Sequence, residues 1–196
     1  MSVRKVQTKK RRESTVILGG RYGNTPLSIP KTLVGVEPTP AAVRRAVFEA
    51  LPDLQGKQLL DLYAGIGAIG LEAISRGATK VTCVESKKAA KAAITANAQA
   101  IDEAAHVTVM SMAVEEALTV LPDGRFFAAV AHPPDAMARP AAVTLFKLLT
   151  RKLEALGRLA IVHPQTESLP DPGPLWKKAG EELIGGLLVS MYTKTG

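Results

Sequence analysis

This sequence has very little cysteine, and it shows neither a long apolar run nor the pattern of a leader peptide. It contains one cysteine among 196 residues, Cys83 within an apolar run, so a disulfide framework is excluded and a reducing, intracellular setting is favoured. No stretch approaches the roughly 20 apolar residues that span a bilayer, and the pattern of a signal peptide is missing. We expect a cytoplasmic protein without a membrane partner; an organelle is the alternative if the first residues belong to a targeting segment.

Acidic residues are absent from the first twelve positions, which concentrates positive charge there. The chain has 25 Lys and Arg residues against 18 Asp and Glu residues, for a net charge of +7. Six of those cations lie in this segment, so the rest of the chain is about neutral. We predict that residues 1–13 form a flexible basic arm that contacts RNA phosphates, a solvated tail being the alternative. The cations assigned to RNA binding are Arg4, Lys5, Lys9, Lys10, Arg11 and Arg12.

Residues 14–56 are predicted to form a hairpin and helix extension. The stretch from residue 14 to 20 has the pattern of a short strand, and residues 21–24 supply turn chemistry. Four prolines then make the connection up to residue 40 extended and irregular. Thr39 is predicted to cap an amphipathic helix over residues 41–51, with a proline at the first helical position.

From residue 57 onward the apolar pattern alternates between strands and helices, which favours one α/β domain over residues 57–196. Such alternation is typical of a Rossmann-like, mostly parallel sheet with helices on both faces. A Gly-Gly pair near the end joins two further strands into an antiparallel hairpin. The predicted strands are 58–62, 80–85, 106–110, 126–131, 158–162, 175–183 and 187–193, and the predicted helices are 67–76, 87–104, 114–121 and 140–156.

A glycine-rich loop follows the first of these strands and indicates a nucleotide-type cofactor. Gly65, Gly67 and Gly70 form the pattern Gly-x-Gly-x-x-Gly between a strand and a helix, which permits a tight turn and a close backbone approach to a ligand. Glu85 ends the next strand, where an acid accepts hydrogen bonds from ribose hydroxyls. Asp61 is less expected beneath a pyrophosphate but suits the ammonium of a methionine moiety. S-adenosylmethionine is therefore favoured over a dinucleotide.

Several segments resemble the bacterial 16S ribosomal RNA guanine-N2-methyltransferases, and the RsmD type most of all. The resemblance covers residues 15–194 and is most specific from Leu60 to Ala78. It is carried by Gly19-Gly20, Pro38-Thr39, Val43-Arg44, Phe48, Leu60-Asp61-Leu62-Tyr63-Ala64-Gly65-Ile66-Gly67 and Gly70-Leu71-Glu72-Ala73-Ile74-Ser75-Arg76-Gly77-Ala78. It implies a seven-stranded class I methyltransferase sheet and S-adenosylmethionine as cofactor. The implied partner is ribosomal RNA or a small-subunit particle, and we expect a monomer.

The resemblance also implies roles for individual residues. Asp61, Gly65, Gly67 and Glu85 would contact the cofactor, and Thr39 would lie near its amino-acid end. To the cofactor pocket we add Tyr63, Met112 and Ala113; the last two stand where the family carries an acid beside the adenine. To the RNA-binding surface we add Arg21 and Arg44.

The catalytic motif departs from the family pattern. Amino-methylating members carry Asp or Asn, then Pro-Pro and an aromatic residue, after the fourth strand; this chain carries His132, Pro133, Pro134 and Asp135. In the usual motif, a side-chain oxygen and the first proline carbonyl accept hydrogen bonds from the target amine, and the aromatic residue stacks on the base. A neutral histidine can accept one hydrogen bond, whereas an aspartate cannot stack. We assign these four residues to catalysis.

The sequence leaves open whether a metal is bound and which function the chain has. His132 and His163 end neighbouring predicted strands and could line one cleft. A shared metal would need further ligands, for which Asp135 is the only obvious candidate nearby, and we expect no metal. The chain is either an RNA guanine-N2-methyltransferase with a substituted acceptor or a catalytically degenerate relative that binds RNA during ribosome assembly. A third, weaker reading is methyl transfer to a different nucleophile with His132 as the base.

Overall fold

The computed structural model describes residues 15–31, 33 and 35–196. The predicted basic arm, with its six cations, lies outside the described residues and stays a prediction. No helix in the described ranges is both long and apolar enough to span a membrane.

Seven strands and five α-helices make up the described chain, and they alternate as the apolar pattern predicts. The helices are α1 (Ala41–Ala50), α2 (Ala68–Ser75), α3 (Lys88–Gln99), α4 (Val114–Val120) and α5 (Ala138–Lys152). The strands are β1 (Gln58–Leu62), β2 (Lys80–Val84), β3 (Val107–Met110), β4 (Phe126–Ala131), β5 (Leu153–Pro164), β6 (Trp176–Ile184) and β7 (Leu187–Lys194).

The strands form one sheet in the order β3-β2-β1-β4-β5-β7-β6. Strands β1 to β5 run parallel, and β7 pairs antiparallel with both β5 and β6. The predicted mostly parallel sheet with an antiparallel C-terminal hairpin is confirmed. The chain leaves β1 toward β2 and later returns to its other side with β4, and ligands of open α/β sheets bind at such a switch point, beyond the carboxyl ends of the strands.

Both faces of the sheet are covered because the central strands are apolar on both sides. Alternate residues of β1 show this: Leu59 packs in the cluster that holds α1 and α2, and Leu60 packs in the cluster that holds α4 and α5. Cys83 is buried in the first cluster as a free thiol. The sheet is therefore a rigid support for the loops at its carboxyl edge.

The predicted strand near the N-terminus is wrong. Residues 15–27 form an isolated antiparallel bridge between Val16 and Pro26 instead of a regular strand. Backbone hydrogen bonds still join the two arms of this segment, with Ile17 N–H donating to the Thr25 carbonyl and Leu27 N–H to the Thr15 carbonyl. The segment is also held against α2. Its Leu18 and Gly19 backbone N–H groups donate to Glu72 over 2.6 and 3.0 Å.

The predicted end of α5 is also wrong. The helix stops at Lys152, and Leu153 begins β5 by pairing with Phe126. The sequence from 151 to 156 is rich in helix formers, but tertiary contacts outweigh that preference. The Lys152 ammonium donates to the Leu121 carbonyl over 2.6 Å and to Asp123 over 2.8 Å, which fixes the end of the helix against the loop before β4.

Candidate cofactor and substrate site

A cavity of about 520 Å³ lies over the carboxyl ends of β1, β2 and β4. Its walls come from residues 35–40, from the loops after β1, β2 and β3, and from the segment after β4. Among the residues assigned from sequence, it is lined by Thr39, Asp61, Tyr63, Gly65, Glu85, Met112, Ala113, His132, Pro133, Pro134 and Asp135. The predicted cofactor residues and the predicted catalytic residues therefore share one continuous space.

Asp61 is the most buried acid of this cavity. Its side chain is 1% exposed, and its Oδ2 accepts the Gly70 backbone N–H over 2.9 Å. Burial raises the pKa of this carboxyl to about 7; the Gly70 N–H opposes the shift, and the charge of Glu85 adds to it. A carboxylate that has lost its hydration in this way gains most from a cation bound beside it.

Gly70 is required for that close approach. A Cβ there would lie 2.8 Å from the Cys83 Sγ and 3.2 Å from the Asp61 Oδ2. The third glycine of the motif thus serves the packing of α2 against β1 and β2 rather than the cavity surface.

Glu85 fixes the glycine loop from the side of β2. Its Oε2 accepts the Gly65 N–H over 3.0 Å, and its Oε1 accepts the Lys87 N–H over 2.9 Å. A carboxylate has about four lone-pair positions, so two remain for hydroxyl groups of a ligand.

Gly67 does not line the cavity. It precedes α2 in the left-handed region, with a φ of 80°, and a Cβ there would lie 3.1 Å from Ile94. Its N–H donates to the Ala64 carbonyl over 2.8 Å. Gly67 therefore shapes the loop, and its predicted contact with the cofactor stays a prediction.

Tyr63 packs beside the cavity with Met110 and Met112. Its hydroxyl is buried and, within the described part of the chain, lacks a hydrogen-bond partner. Burial raises the pKa of this phenol to about 12, and the charge of Glu115 contributes to the shift. A phenylalanine would fill the same space without the unpaired polar group.

We predict that Tyr63→Phe stabilises the ligand-free protein by about 1 kcal/mol, because the cost of burying an unpaired hydroxyl is removed. Thermal unfolding should show a midpoint raised by roughly 2–4 °C. Tyr22→Phe is the matched control: the Tyr22 hydroxyl does donate, to Glu103, so its removal should not raise the midpoint. A lowered midpoint for Tyr63→Phe would show that its hydroxyl has a partner in solution.

His132 faces the cavity from the end of β4 and is half-buried. Its Nδ1 lies 2.8 Å from the Thr39 hydroxyl oxygen, and among the described residues the Nε2 has no hydrogen-bond partner. Burial lowers the pKa of this imidazole, and the charge of Asp135 partly opposes the shift. The ring is accordingly neutral at pH 7, as an acceptor of an amine hydrogen requires.

Thr39 is not the helix cap that the sequence predicts. No side chain caps α1, and the cap position is Pro40. The Thr39 hydroxyl is hydrogen-bonded to His132 instead, which connects the segment before α1 with the predicted catalytic motif.

The remaining residues of the motif differ in exposure. Pro133 is buried, whereas Pro134 and Asp135 are exposed at the mouth of the cavity. Asp135 begins a short 3-10 turn that ends at Met137, closed by the Met137 N–H on the Pro134 carbonyl over 2.7 Å. The position at which the sequence resemblance implies an aromatic residue therefore presents a carboxylate at the mouth of the cavity.

His163 does not share this cleft. The β4–β5 register pairs Ala131 with Ile161, so His163 falls one residue beyond the partner of His132 and points to the opposite face. It is 2% exposed, and its Nε2 lies 2.9 Å from the Ser190 hydroxyl. The suggestion that both histidines line one cleft is wrong. Within the described ranges, no group of three His, Cys, Asp or Glu side chains is arranged to hold a metal.

The two arginines that the sequence assigns to RNA differ in accessibility. Arg21 is exposed, with a side-chain exposure of 79%, so its assignment stays a prediction. Arg44 is 1% exposed and forms an ion pair with Glu72, which excludes direct contact with RNA and corrects the assignment. Its position on the inner face of α1 explains the error, because a buried arginine and a surface arginine look alike in sequence.

Some residues of the cavity are missed by the sequence patterns. Glu115 and Lys87 read as solvated helix residues, but both line the cavity, and the Lys87 ammonium donates to the Gly35 carbonyl over 3.2 Å. The sequence does contain a feature that indicates Lys87 as a cavity residue. Lys87 stands two residues after Glu85, in a loop at the carboxyl edge of a parallel sheet, where the ligands of this fold bind.

The strand order, the glycine loop and the cavity place the chain among the Rossmann-like methyltransferase folds. The crystallised RNA methyltransferase from Salinibacter ruber in complex with S-adenosyl-L-homocysteine shares this fold, with a TM-score of 0.63, 19% identity and coverage of 81% of this chain and 94% of that one. A conserved hypothetical protein from Streptococcus pyogenes gives a TM-score of 0.70 at 28% identity and covers 78% and 96% of the two chains.

The chain belongs to the family described as Conserved hypothetical protein 95, whose model matches residues 15–193. The resemblance stated from the sequence is thereby confirmed. The Ribosomal RNA small subunit methyltransferase D of Escherichia coli is 40% identical over 74 residues. That alignment spans 37% of this chain and 37% of the relative's length, and so covers little more than a third of either protein.

Proposed function

We propose that this protein is an S-adenosylmethionine-dependent RNA methyltransferase that acts on guanine N2 of small-subunit ribosomal RNA. The observation that carries the proposal is that one cavity is lined both by the predicted cofactor residues Asp61 and Glu85 and by the predicted catalytic residues His132 and Pro133. A methyl donor and an acceptor amine bound there would meet without a second site. The name of the Escherichia coli relative supports the choice of RNA.

The residues present fit the proposed cofactor. Asp61 offers a desolvated carboxylate to an ammonium, and Glu85 has free lone pairs for ribose hydroxyls. Met112 and Ala113 offer an apolar wall to an adenine. Gly65 has a φ of 57°, and a Cβ there would lie 3.2 Å from Val36. A larger residue would therefore disturb the loop on which the ligand would lie. The bound cofactor supplies an electrophilic methyl group on a sulfonium sulfur.

His132 and Pro133 would orient the acceptor. The guanine amine is a poor nucleophile while its lone pair is delocalised into the ring; hydrogen bonds from the NH2 group to His132 Nε2 and to the Pro133 carbonyl would turn that lone pair toward the methyl carbon. Transfer of the methyl group to the nitrogen would leave a surplus proton there, and His132 Nε2 or water would take up that proton.

If Asp61 binds the ammonium of the cofactor, the affinity for the cofactor should depend on pH. With a pKa of about 7 in the free protein, Asp61 is protonated below that pH and cannot pair with an ammonium. Affinity for S-adenosylhomocysteine should therefore rise as the pH rises through 7 and level off above it, by roughly tenfold between pH 6 and 8. Burial lowers the pKa of His132 below its ordinary value, so the ring loses its charge at a lower pH than that at which the carboxyl ionises.

Calorimetric titration at several pH values measures this effect. Asp61→Asn keeps an oxygen for the Gly70 N–H but cannot ionise, so its affinity should be lower and independent of pH. A flat profile in the parent protein, or the same rise in Asp61→Asn, would show that another group controls binding.

The reaction itself is tested by methyl incorporation. Small-subunit RNA, naked and as assembled particles, is incubated with the protein and S-adenosylmethionine labelled in the methyl group, and the product nucleoside is identified. Label at guanine N2 supports the proposal. Cofactor binding without incorporation into any RNA fraction contradicts it.

That second outcome would favour a catalytically degenerate RNA-binding protein, which one observation supports. Asp135 is exposed at the mouth of the cavity, where a stacking side chain is expected, and its charge opposes a base flanked by phosphates. RNA binding that persists when incorporation is absent distinguishes this function from the enzyme.

The N-terminal arm is proposed to hold RNA in either case. Deleting residues 1–12 removes six cations, and each contact to single-stranded RNA contributes about 0.7 to the slope of log affinity against log salt. The slope should fall by about 4 at most, with affinity reduced most strongly at low salt. Binding that is unchanged by the deletion would exclude the arm. Lys177→Gln with Lys178→Gln on the exposed strand β6 is the control for loss of charge elsewhere.

A further inference from the structure

The hydrogen bond between Thr39 and His132 decides which edge of the imidazole carries the proton. A neutral histidine has one protonated and one unprotonated ring nitrogen, and the partner of one nitrogen fixes the state of the other. Thr39 Oγ1 lies 2.8 Å from Nδ1, and both side chains line the cavity. The Thr39 hydroxyl can either donate to Nδ1 or accept from it.

The surroundings of Thr39 permit the first arrangement in the free protein. Among the residues that the structure describes, the hydroxyl has no partner other than Nδ1. When the hydroxyl hydrogen is donated to Nδ1, His132 carries its own proton on Nε2. The edge that faces the substrate is then a donor, which cannot receive a hydrogen bond from an amine.

Thr39 is also held in place from behind. Its carbonyl accepts the Arg44 Nε over 3.2 Å, and the Arg44 guanidinium is fixed in turn by the Val16 carbonyl over 2.9 Å and by Glu72. The segment that carries Thr39 packs against the glycine loop, where Val36 lies near Gly65. An anion that enters the cavity beside Thr39 thus meets a hydroxyl whose position is set in advance.

We propose that Thr39 is a positioning residue whose hydroxyl sets the tautomer of His132, and that the carboxylate of the bound cofactor reverses it. This inference rests on the proposed function. The ammonium and the carboxylate of the cofactor are borne by one carbon, so an ammonium held by Asp61 brings the carboxylate along with it into the same cavity. The Thr39 hydroxyl then donates to that carboxylate and accepts from Nδ1.

The exchange conserves protons and charge. One proton leaves Nε2 for water, another is taken up by Nδ1 from water, and His132 stays neutral throughout. The Nε2 lone pair is then free to accept from the target amine. Cofactor binding would in this way prepare the acceptor before RNA enters.

Nitrogen-15 NMR of histidine-labelled protein tests the proposal, because protonated and unprotonated ring nitrogens have widely separated shifts and the chain has three histidines. His132→Asn assigns the signals. In the free protein we expect Nε2 to be protonated; saturating S-adenosylhomocysteine should move the proton to Nδ1. Methylthioadenosine, which lacks the amino-acid part, should leave the tautomer unchanged.

Two variants isolate the hydroxyl. Thr39→Ser keeps it and should show the same reversal, whereas Thr39→Val lacks it and should show none. An unchanged tautomer in protein that calorimetry shows to be saturated would overturn the proposal, as would reversal in Thr39→Val or with methylthioadenosine. Failure of S-adenosylhomocysteine to bind at all would instead overturn the proposed cofactor. In that case, a comparison of the His132 tautomer in the free parent protein with that in free Thr39→Val would still test the role of Thr39.

Discussion

Replacing Glu72 with glutamine is expected to destabilise the protein by about 3–5 kcal/mol, because the change leaves a buried cation without its partner. Glu72 is fully buried in α2 and pairs with Arg44, which is 1% exposed, and with Arg76, whose Nε donates over 2.9 Å. Burial lowers the pKa of Arg44, and the charge of Glu72 opposes that shift. Without the carboxylate, nothing equivalent compensates the desolvated guanidinium.

The same carboxylate also attaches the N-terminal segment. It accepts the backbone N–H groups of Leu18 and Gly19, while the Ser75 hydroxyl donates to the Gly19 carbonyl over 2.5 Å. A glutamine amide has one oxygen for these donors and adds N–H groups that need acceptors of their own. The loss should therefore release residues 15–27 as well as weaken α1 against α2.

Thermal unfolding should show a midpoint lowered by on the order of 10 °C, and hydrogen exchange should show faster exchange of the Leu18 and Gly19 amides. Glu116→Gln, an exposed acid on α4, is the matched control and should change the midpoint little. A loss below about 1 kcal/mol for Glu72→Gln would show that water or a relaxed Arg44 replaces the pair.

The sequence predicts the central sheet well because each of its strands is a short apolar run between turn residues. Strands β1 and β4 lie where predicted, residue for residue. The errors occur where long-range contacts override local preference. The end of α5 is set by Lys152 and its partners on another loop, and the predicted strand at residues 14–20 is replaced by a clamp onto Glu72. Neither partner is adjacent in sequence.

The sequence predicts which residues lie at the candidate site better than it predicts the hydrogen bonds among them. Gly65, Asp61 and Glu85 follow from the rule that ligands lie at the carboxyl edge of a parallel sheet, and the cavity gathers them with His132. The sequence also predicts Thr39 at the site, where it lines the cavity. It does not indicate the partner of the Thr39 hydroxyl, because a Thr-Pro pair before a helix is the ordinary signature of a cap. Hydrogen-bond partners across 93 residues leave no trace in a local pattern.

Introducing the residue types that the sequence resemblance implies for the catalytic motif should raise methyl transfer. In the double variant with His132→Asp and Asp135→Tyr, the first change supplies a carboxylate whose two oxygens both accept, whatever the state of Thr39. The second removes a negative charge from the mouth of the cavity and adds a ring that can stack on a flipped base, a contact of roughly 1–3 kcal/mol. That free energy corresponds to a KM for RNA lowered by about 5- to 150-fold.

Steady-state assays with labelled S-adenosylmethionine separate the two effects, since His132→Asp alone should act on kcat and Asp135→Tyr alone on KM. Asp53→Tyr is the control for adding an aromatic residue: Asp53 is exposed before β1, at the opposite edge of the sheet from the cavity. Activity that appears only in the double variant would identify the parent as a degenerate methyltransferase. A parent more active than the double variant would contradict the prediction and show that His132 and Asp135 are adapted to the reaction as they stand, with the Nε2 of His132 as the acceptor that the carboxylate cannot replace.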